Sequence, residues 1–324
     1  MYQKSKDRPT GQRVYFTQST SRIPFHESNS LILKMKAHVL NDSYLFIGSG
    51  EESIENLPPD LSNVNLNDII DKLRLGFTPV TLPIAKEDYQ PIIPGSSLKG
   101  SIRQRIEHLF VFNVAKNFIH SCFINQSRGF IKIDDYNRRF INIYGIDGQI
   151  QERGRDQPPN KVCIVCDLFG APSLASRISF SDAYPVETIE LVEITIEEGA
   201  KIFCVPPDTD FRFQVNIINH KMEQTGLLLK GMNILQQRPI LLGQFKYIKN
   251  KVKDESNFFG RVQFSLEKVR ENSIIQGKVQ SKTLDNAKFI REAIGETDKK
   301  FQGSLRDIDE AQELEEIWRQ KSDN

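Results

Sequence analysis

Four residues in two separated segments have the types and spacing of a metal site. Cys163 and Cys166 form a C-x-x-C pair in a loop, and His120 and Cys122 form a second pair in an earlier segment. Two cysteines from one loop and a His-x-Cys from another make a four-ligand set for structural zinc. The alternative is that the thiols and the imidazole bind no metal. A redox role for the C-x-x-C pair is disfavoured, because no strand-to-helix start of the thioredoxin type surrounds it.

A second group of polar residues follows a tight turn at residues 94–95. The turn leads into Ser96, Ser97 and Lys99, with Arg103 four residues further on. Ser96 or Ser97 can cap a helix by accepting from the amides of its first turn. Exposed amides, hydroxyls and cations at the positive end of a helix favour an anion such as a backbone phosphate. The alternative is an ordinary capped helix with a solvated basic face.

The elements around this turn predict an α+β domain. Apolar residues recur four apart from Leu98 to Phe118, which predicts a long helix with one buried stripe. A strand precedes it, and further strands and a second helix follow. These are a strand at 31–39, strands at 176–183, 188–196, 201–205 and 210–218, a helix at 222–236 and a strand at 258–266. This order is that of a ferredoxin-like fold, in which two helices cover one face of an antiparallel sheet.

Composition indicates a globular protein without a membrane anchor. No apolar run approaches the roughly 20 residues that a membrane helix needs, and the polar start does not have the pattern of a signal peptide. We therefore expect a cytoplasmic location and no membrane partner. The net charge is +1, but residues 283–324 hold eleven acidic and seven basic side chains. Any nucleic-acid surface should therefore lie in the body of the chain and not in this tail.

The chain divides into three predicted parts. Residues 1–30 are a polar N-terminal arm, residues 31–270 are the ferredoxin-like domain, and residues 271–324 are an acidic helical tail. The domain contains predicted insertions at 51–76, 121–161 and 244–257. Within the second insertion, two apolar runs flank a polar stretch that includes Arg138 and Arg139, which suggests a projecting hairpin with a basic tip.

Three separated segments carry distinctive motifs: IPGSSLKGSIR at 93–103; LFG at 168–170 with RISFSDA at 177–183; and LG at 242–243 with FGRV at 259–262. Together they resemble the RAMP superfamily of CRISPR-associated proteins, in particular the backbone-type (Csm/Cmr-like) subunits of type III effector complexes. The similarity spans roughly residues 31–269, and its first segment is the most specific. One departure is the lysine-rich stretch between Gly243 and Gly260, where the family often has a short turn.

The resemblance implies that the chain binds guide RNA (crRNA), meets target RNA, and packs against other type III subunits. It places the helix start against the guide backbone and makes the projecting hairpin a thumb that interrupts the guide–target duplex. Recognition through backbone and shape suits a protein that must hold any guide sequence. The residues implied are Ser96, Ser97, Lys99 and Arg103 on phosphates, Arg138 and Arg139 on the thumb, and, more weakly, Arg177 and Arg261 in the same groove. For each single cation, a solvated surface charge is the alternative.

Catalysis is the open question of the sequence. Family members that cut target RNA resemble one another in an aspartate just before a Pro-Val pair, and Phe77 stands near that place here. Phenylalanine neither binds a metal nor moves a proton. Either the subunit does not cleave, or a displaced carboxylate (Asp60, Asp68 or Asp71) serves with a divalent metal. Each of these aspartates could equally be a cap or loop residue. A guide-processing nuclease with His38 as base is a more distant alternative.

Overall fold

The structure is a computed structural model of the 324-residue chain. It describes residues 13–14, 17–18, 29–49, 81–82, 84–111, 118–122, 143–144, 161–171, 174–195, 201–247, 250–252, 255–275 and 278–322. The helices of these ranges are α1 (Gly95–Leu109), α2 (Ile164–Phe169), α3 (Met222–Gly231), α4 (Asn286–Lys300) and α5 (Glu310–Ser322). The strands are β1 (Arg13–Val14), β2 (Thr17–Gln18), β3 (Asn29–Val39), β4 (Ser43–Tyr44), β5 (Thr81–Leu82), β6 (Lys86–Glu87), β7 (Gln90–Pro91), β8 (Phe118–Ile119), β9 (Lys161–Val162), β10 (Ile178–Phe180), β11 (Tyr184–Pro185), β12 (Val192–Thr195), β13 (Lys201–Cys204), β14 (Asp210–Ile218), β15 (Ile240–Leu241), β16 (Asn250–Val252), β17 (Glu255–Phe259), β18 (Arg261–Ile275) and β19 (Lys278–Leu284).

A seven-stranded sheet organises the domain. Its main path runs in the order β10, β14, β3, β18 and β15, with β11 paired to β14 and β19 paired to β18, and every pairing is antiparallel. The chain passes from β3 through α1 to β10 and β14, then through α3 to β18. The four strands joined by these two helices therefore have the order of a ferredoxin-like sheet, and the predicted α+β class is confirmed.

Alternation along the central strand explains the two faces of the sheet. In β3 the side chains of Leu31, Leu33 and Met35 are fully buried, while Lys34 between them is exposed. The same alternation occurs in β14, where Phe211 and Phe213 are buried. Side chains of period two point to opposite faces of a sheet. One face therefore packs into the hydrophobic core with the helices, and we call the other, polar face the open face.

The first helix is shorter than its apolar pattern predicted. Leu98, Ile102 and Ile106 are buried as expected, but α1 ends at Leu109 and Phe110 is extended. Phe118, which the pattern placed in the same helix, lies in β8. Phe110 fits the four-residue spacing because it is buried, but it is buried against Phe301 at the end of α4 and not as part of a further turn of α1. Local periodicity cannot separate these two reasons for burial.

The C-terminal part of the chain returns to the domain. β18 runs on past residue 270 to Ile275, and β19 pairs with it, so the sheet continues into the predicted tail. Helix α5 then packs on the domain through Trp318, whose ring is stacked on Phe258 at a centroid distance of 5.8 Å. None of the helices in the described ranges is long and apolar enough to cross a membrane.

Candidate nucleic-acid interface and metal centre

The start of α1 is held by a carboxylate from elsewhere in the chain. The N-cap residue is Pro94, which makes no side-chain cap, so the predicted cap by Ser96 or Ser97 is wrong. The Gly95 amide instead donates to Asp182 Oδ1 at 2.6 Å. A carboxylate here satisfies one of the free amides and lies favourably at the positive helix end. The strongest part of the predicted anion site is therefore already filled by the chain itself.

Gly95 is required by close packing at the same point. A Cβ placed on Gly95 would lie 2.8 Å from the carbonyl oxygen of Ser181, and closer still to that of Phe180. Both contacts are to backbone atoms, which cannot move aside as a flexible side chain would. Any larger residue would push α1 away from β10. The first glycine of the 93–103 segment is thus explained by close contact with the 177–183 segment.

Lys99 joins the same two segments. Its Nζ donates to Ser176 Oγ at 2.8 Å and to the Ile178 carbonyl at 3.1 Å. Burial, and then the neighbouring charge of Arg103, lower the pKa of Lys99. An ammonium group has three donors, so one remains beyond these two bonds. Lys99 is half-buried and can hold its loop and still offer one donor to an anion.

Arg103 points into the protein. Its Nε pairs with Glu107 at 2.9 Å, and its side chain is only 11% exposed. One terminal nitrogen donates to the Gly170 carbonyl at 2.7 Å, and the other contacts Cys166 Sγ at 3.3 Å. This position argues against the predicted phosphate contact, because the side chain is largely buried and each of its three nitrogens already has a protein partner.

The solvent side of α1 carries a glycine that no internal contact explains. Ser96 and Gly100 are exposed, and they lie one turn apart on the same helix face. A Cβ on Gly100 would meet no atom within 4 Å. Glycine inside a helix costs up to about 1 kcal/mol relative to alanine. Within the described ranges, nothing offsets that cost.

Arg177 lies in a buried polar network instead of a groove. Its side chain is 7% exposed and pairs with Asp167 Oδ2 at 2.8 Å, and the same guanidinium donates to the Gln224 amide oxygen. Gln224 in turn donates to Asp167 at 2.7 Å, and Arg177 also reaches the Asn219 carbonyl at 2.6 Å. The network ties α2 to α3. The predicted RNA contact is therefore not supported by the position of this side chain.

Arg261 likewise has internal partners. It donates to Asp42 at 2.8 Å and to Glu315 of α5 at 2.7 Å, and its side chain is 8% exposed. The guanidinium carbon lies 3.4 Å from the centre of the Phe258 ring. Arg261 thus fixes the acidic C-terminal helix to the sheet. This is a structural function, and it leaves the guanidinium poorly placed for a phosphate.

Three of the four predicted metal ligands meet in the core. Cys122 Sγ lies 3.5 Å from Cys163 Sγ and 3.3 Å from Cys166 Sγ, and all three thiols are buried. Cys163 caps α2 by accepting from the Cys166 amide. Hydrogen bonds between the Cys122 thiol and those of Cys163 and Cys166, together with burial, raise the pKa of Cys122. We call these three residues the cysteine cluster.

His120, the fourth predicted ligand, lies in an aromatic group instead. Its ring centre is 5.0 Å from that of Phe118, 5.1 Å from that of Phe301 and 5.7 Å from that of Phe110. Among the residues that the structure describes, the metal-compatible group contains the three cysteines and not His120. The two residues of a His-x-Cys segment need not point to the same side of the backbone, and here Cys122 reaches the cluster while the imidazole packs against the phenylalanines.

The cysteine cluster fits a thiolate-binding metal such as zinc. A tetrahedral ion with bonds of about 2.3 Å requires about 3.8 Å between sulfurs, close to the separations seen. The Arg103 guanidinium and the Cys166 amide both donate to cluster sulfurs. Donors of this kind stabilise negative sulfur, as the outer hydrogen bonds of a metal site do. The cluster could therefore hold a metal through three ligands.

Several predicted residues lie outside the described ranges. They are Arg138 and Arg139 of the hairpin, Phe77, and the candidate carboxylates Asp60, Asp68 and Asp71. His38 is described: its Nδ1 lies 2.8 Å from Asp210 Oδ1, and Asp210 also accepts from Lys36 at 3.2 Å. Burial works to raise the pKa of Asp210, but the hydrogen bonds from His38 and Lys36 outweigh it and lower that pKa. His38 is thus part of an ion-pair group on the open face.

Two residues of the interface have roles that the sequence motifs do not reveal. Asp182 is the carboxylate of the RISFSDA segment, and Gly100 follows Lys99 in the helix start. A signal for Gly100 exists, because an isolated glycine inside a helical pattern needs a reason. No such signal exists for Asp182, since its partner lies far away in the chain and the contact is made only by folding.

Comparison with known proteins places the chain in a family. A search of curated proteins finds no match. The family model of the RAMP superfamily matches residues 42–318, which is most of the chain and includes α1, the cysteine cluster and the whole of β18. The chain therefore belongs to the RAMP superfamily, a membership that points in general to an RNA-binding role connected with type III CRISPR systems.

Proposed function

We propose that this chain is a guide-RNA-binding backbone subunit, of Csm/Cmr type, in a type III CRISPR ribonucleoprotein used in antiviral defence. In this proposal the guide backbone passes over the first turns of α1, where Ser96 and Ser97 supply hydroxyls and Lys99 supplies its remaining donor. Target RNA then pairs with the guide, and like subunits and other effector subunits are the protein partners. Family membership supports the RNA-binding part of this proposal.

The observation that carries the proposal is the exposed, unexplained glycine at position 100. Gly95 is needed for packing against β10, whereas a Cβ on Gly100 would enter open space. Gly295 in α4 has the same open space around it, so a helical glycine alone does not imply a ligand. Gly100 differs because it follows Lys99 in the first turns of α1, where its open backbone lets a ligand approach closely. Ser96 lies one turn before it on the same face.

Binding at this surface would depend more on shape and hydrogen bonds than on net charge. Asp182 occupies the Gly95 amide, and Arg103 has internal partners. What remains on the outside is the Ser96 hydroxyl, the half-exposed Ser97, one donor of Lys99 and the gap at Gly100. Such a surface reads no base edge, as the proposed role requires, because a backbone subunit must accept any guide sequence.

Of the remaining predicted RNA contacts, the proposal keeps two and drops two. Arg138 and Arg139, at the tip of the predicted thumb hairpin, stay candidates for contacts with the guide–target duplex. Arg177 and Arg261 do not, because their guanidinium groups are buried in ion pairs. We further propose that zinc occupies the cysteine cluster and that it fixes the base of the segment from which the thumb projects.

We propose that the subunit is non-catalytic, because Phe77 stands near the place where cleaving relatives carry an aspartate. The competing function is a metal-dependent endoribonuclease that cuts guide-paired target RNA from residues 51–76. Asp60→Ala, Asp68→Ala and Asp71→Ala in the assembled complex separate the two. Target cleavage that persists at every site in all three variants supports the non-catalytic function, and loss of particular cuts supports the enzyme.

The division of the chain is also a proposal: an arm at 1–30, the RNA-binding domain at 31–270 and the tail at 271–324. The decisive experiment for the function is to purify the full chain with the proteins that accompany it in cells, and to sequence the RNA that it retains. Spacer-containing RNA with a constant repeat-derived end is the expected result. No RNA, or random RNA lost at moderate salt, would refute guide binding.

A further inference from the structure

The open face of the sheet carries cations that the helix side does not need. Its central strands present Lys34 and Lys36 from β3, Arg212 from β14, and Lys268 and Arg270 from β18. Lys36 pairs with Asp210, and Arg212 pairs with Glu267 at 3.0 Å. In the part of the chain that the structure describes, Lys34, Lys268 and Arg270 have no carboxylate within ion-pair distance. We call these three the uncompensated cations.

The uncompensated cations are held together by a β-bulge. Lys268 lies directly opposite Lys34, and the register of β18 against β3 shifts between Leu266 and Lys268. With regular pairing, Glu267 would face Lys34 and neutralise it, and Lys268 and Arg270 would point towards the core. The bulge moves Glu267 to Arg212 and turns both basic residues to the open face, because a shift of one residue exchanges the two faces of a strand.

This arrangement is unfavourable for the isolated protein. Like charges directly opposite each other in an antiparallel pair repel, with Cβ atoms only about 5 Å apart. The same strand carries a carboxylate that could relieve the repulsion, and the bulge directs it elsewhere. The bulge itself serves the fold, because it keeps Val269 in the core and Lys268 and Arg270 out of it. The repulsion between Lys34 and Lys268 nevertheless remains on the open face, and a partner with negative charge would relieve it.

The surroundings fit a nucleic-acid backbone. Gln214 lies opposite Lys34 on its other side, and Asn216 lies two residues further along β14, so amide groups flank the cations. Lys268 and Arg270 are two residues apart on one strand, about 6.6 Å, which allows both to contact one extended chain. In the described strands, no aromatic side chain lies directly opposite the uncompensated cations, and the exposed Tyr184 lies opposite Arg212. The uncompensated cations would therefore contact phosphates without stacking on bases.

We propose that Lys34, Lys268 and Arg270 form a second RNA-binding surface on the open face, which contacts the phosphodiester backbone of a single-stranded RNA segment. The surface lies on the side of the sheet opposite to α1, so it is separate from the helix surface proposed for the guide. The inference rests on the proposed RNA-binding function and adds a second contact region to it.

The test uses the full chain and labelled oligouridine, with affinity measured by fluorescence anisotropy over a range of salt concentrations. The variant combines Lys34→Gln, Lys268→Gln and Arg270→Gln. Each phosphate contact contributes about 0.7 to the salt slope for single-stranded RNA, so the slope should fall by about 2 and affinity at moderate salt by about tenfold or more. The melting temperature should rise, because the like-charged pair is removed.

A matched control removes the same number of charges from α4, by Lys288→Gln, Arg291→Gln and Lys299→Gln. This control should leave the salt slope nearly unchanged. An unchanged slope in the open-face variant would overturn the proposal. If the open-face variant keeps the salt slope but loses a co-purifying acidic protein, the open face is a protein interface, and the proposal is likewise overturned. A Gly100→Asp variant reports on the helix surface separately: if it weakens binding and the open-face variant does not, only the second surface fails.

Discussion

Replacing Gly100 by alanine should make the protein more stable and a weaker RNA binder at the same time. The matched control is Gly295 in α4, which is also a helical glycine where an added Cβ would meet no atom within 4 Å. Each Gly→Ala change should add about 0.8–1.0 kcal/mol to the free energy of unfolding, from helix propensity alone. For 324 residues, an unfolding entropy of about 0.7 kcal/mol/K turns this into a rise in melting temperature of about 1.1–1.4 °C.

The two variants should differ only in binding. A new methyl group at position 100 occupies the space that the guide backbone would use, and overfilling a close contact costs about 1–3 kcal/mol. We therefore expect guide RNA to bind Gly100→Ala about tenfold more weakly than the unaltered protein, while Gly295→Ala binds unchanged. The assays are thermal unfolding and fluorescence anisotropy with a labelled guide RNA at fixed salt.

Two outcomes would refute the reasoning about Gly100. Equal RNA affinity of Gly100→Ala and the unaltered protein, with the same gain in stability as Gly295→Ala, would show that no ligand needs the glycine. A loss of stability in Gly100→Ala alone would show that the glycine serves the fold. Only the opposite signs of the two effects support an external ligand at this position.

Three further results are expected. Metal analysis of protein purified without chelators should find about one equivalent of zinc per chain. Cys122→Ser should reduce the zinc content below about half an equivalent, and His120→Ala should leave it unchanged. Loss of zinc in the histidine variant alone would contradict the three-cysteine site. Arg177→Met should lower the free energy of unfolding, measured with urea, by about 3–5 kcal/mol, because it leaves Asp167 buried without its counter-ion; a change below about 1 kcal/mol would count against the network. Burial lowers the pKa of Lys246 to about 8. Between about pH 8 and about 10.4, the ordinary lysine pKa, the unfolded chain binds more protons than the folded chain, so the free energy of unfolding should rise with pH over this range. Titration of unfolding against pH should show this rise, and Lys246→Met should abolish it.

The order of strands and helices could be predicted because it follows from the local periodicity of apolar residues. Alternation in residues 31–39 and 210–218 marks strands with one buried face, and the spacing of four after Leu98 marks a helix. The residues at which helices and strands end were harder to predict. Phe110 is buried by contact with Phe301, a residue far along the chain, and this contact extended the apparent helix pattern beyond Leu109.

The functions of charged residues were the hardest to predict. Arg103, Arg177 and Arg261 look like surface cations in the sequence, yet each is largely buried and paired with a carboxylate. The partner of Arg103 is four residues away on the same helix, whereas folding brings the partners of Arg177 and Arg261 from other elements. Lys34 looks like any other lysine on a strand, and only the register shift in β18 shows that its nearest opposite neighbour is Lys268. Pairing across strands is a tertiary property that residue type and spacing do not contain.

The contacts at the start of α1 also explain why the first two of the separated motifs occur together. Asp182 of the second motif holds the Gly95 amide, and Lys99 of the first motif holds the loop before β10. Arg103 then reaches Gly170 and Cys166, so the helix start and the cysteine cluster are mechanically connected. Because these charges are used internally, RNA binding at α1 should depend little on salt. The salt dependence of the whole protein should therefore come mainly from other surfaces, and the open face, with its uncompensated cations, is one surface that can supply it.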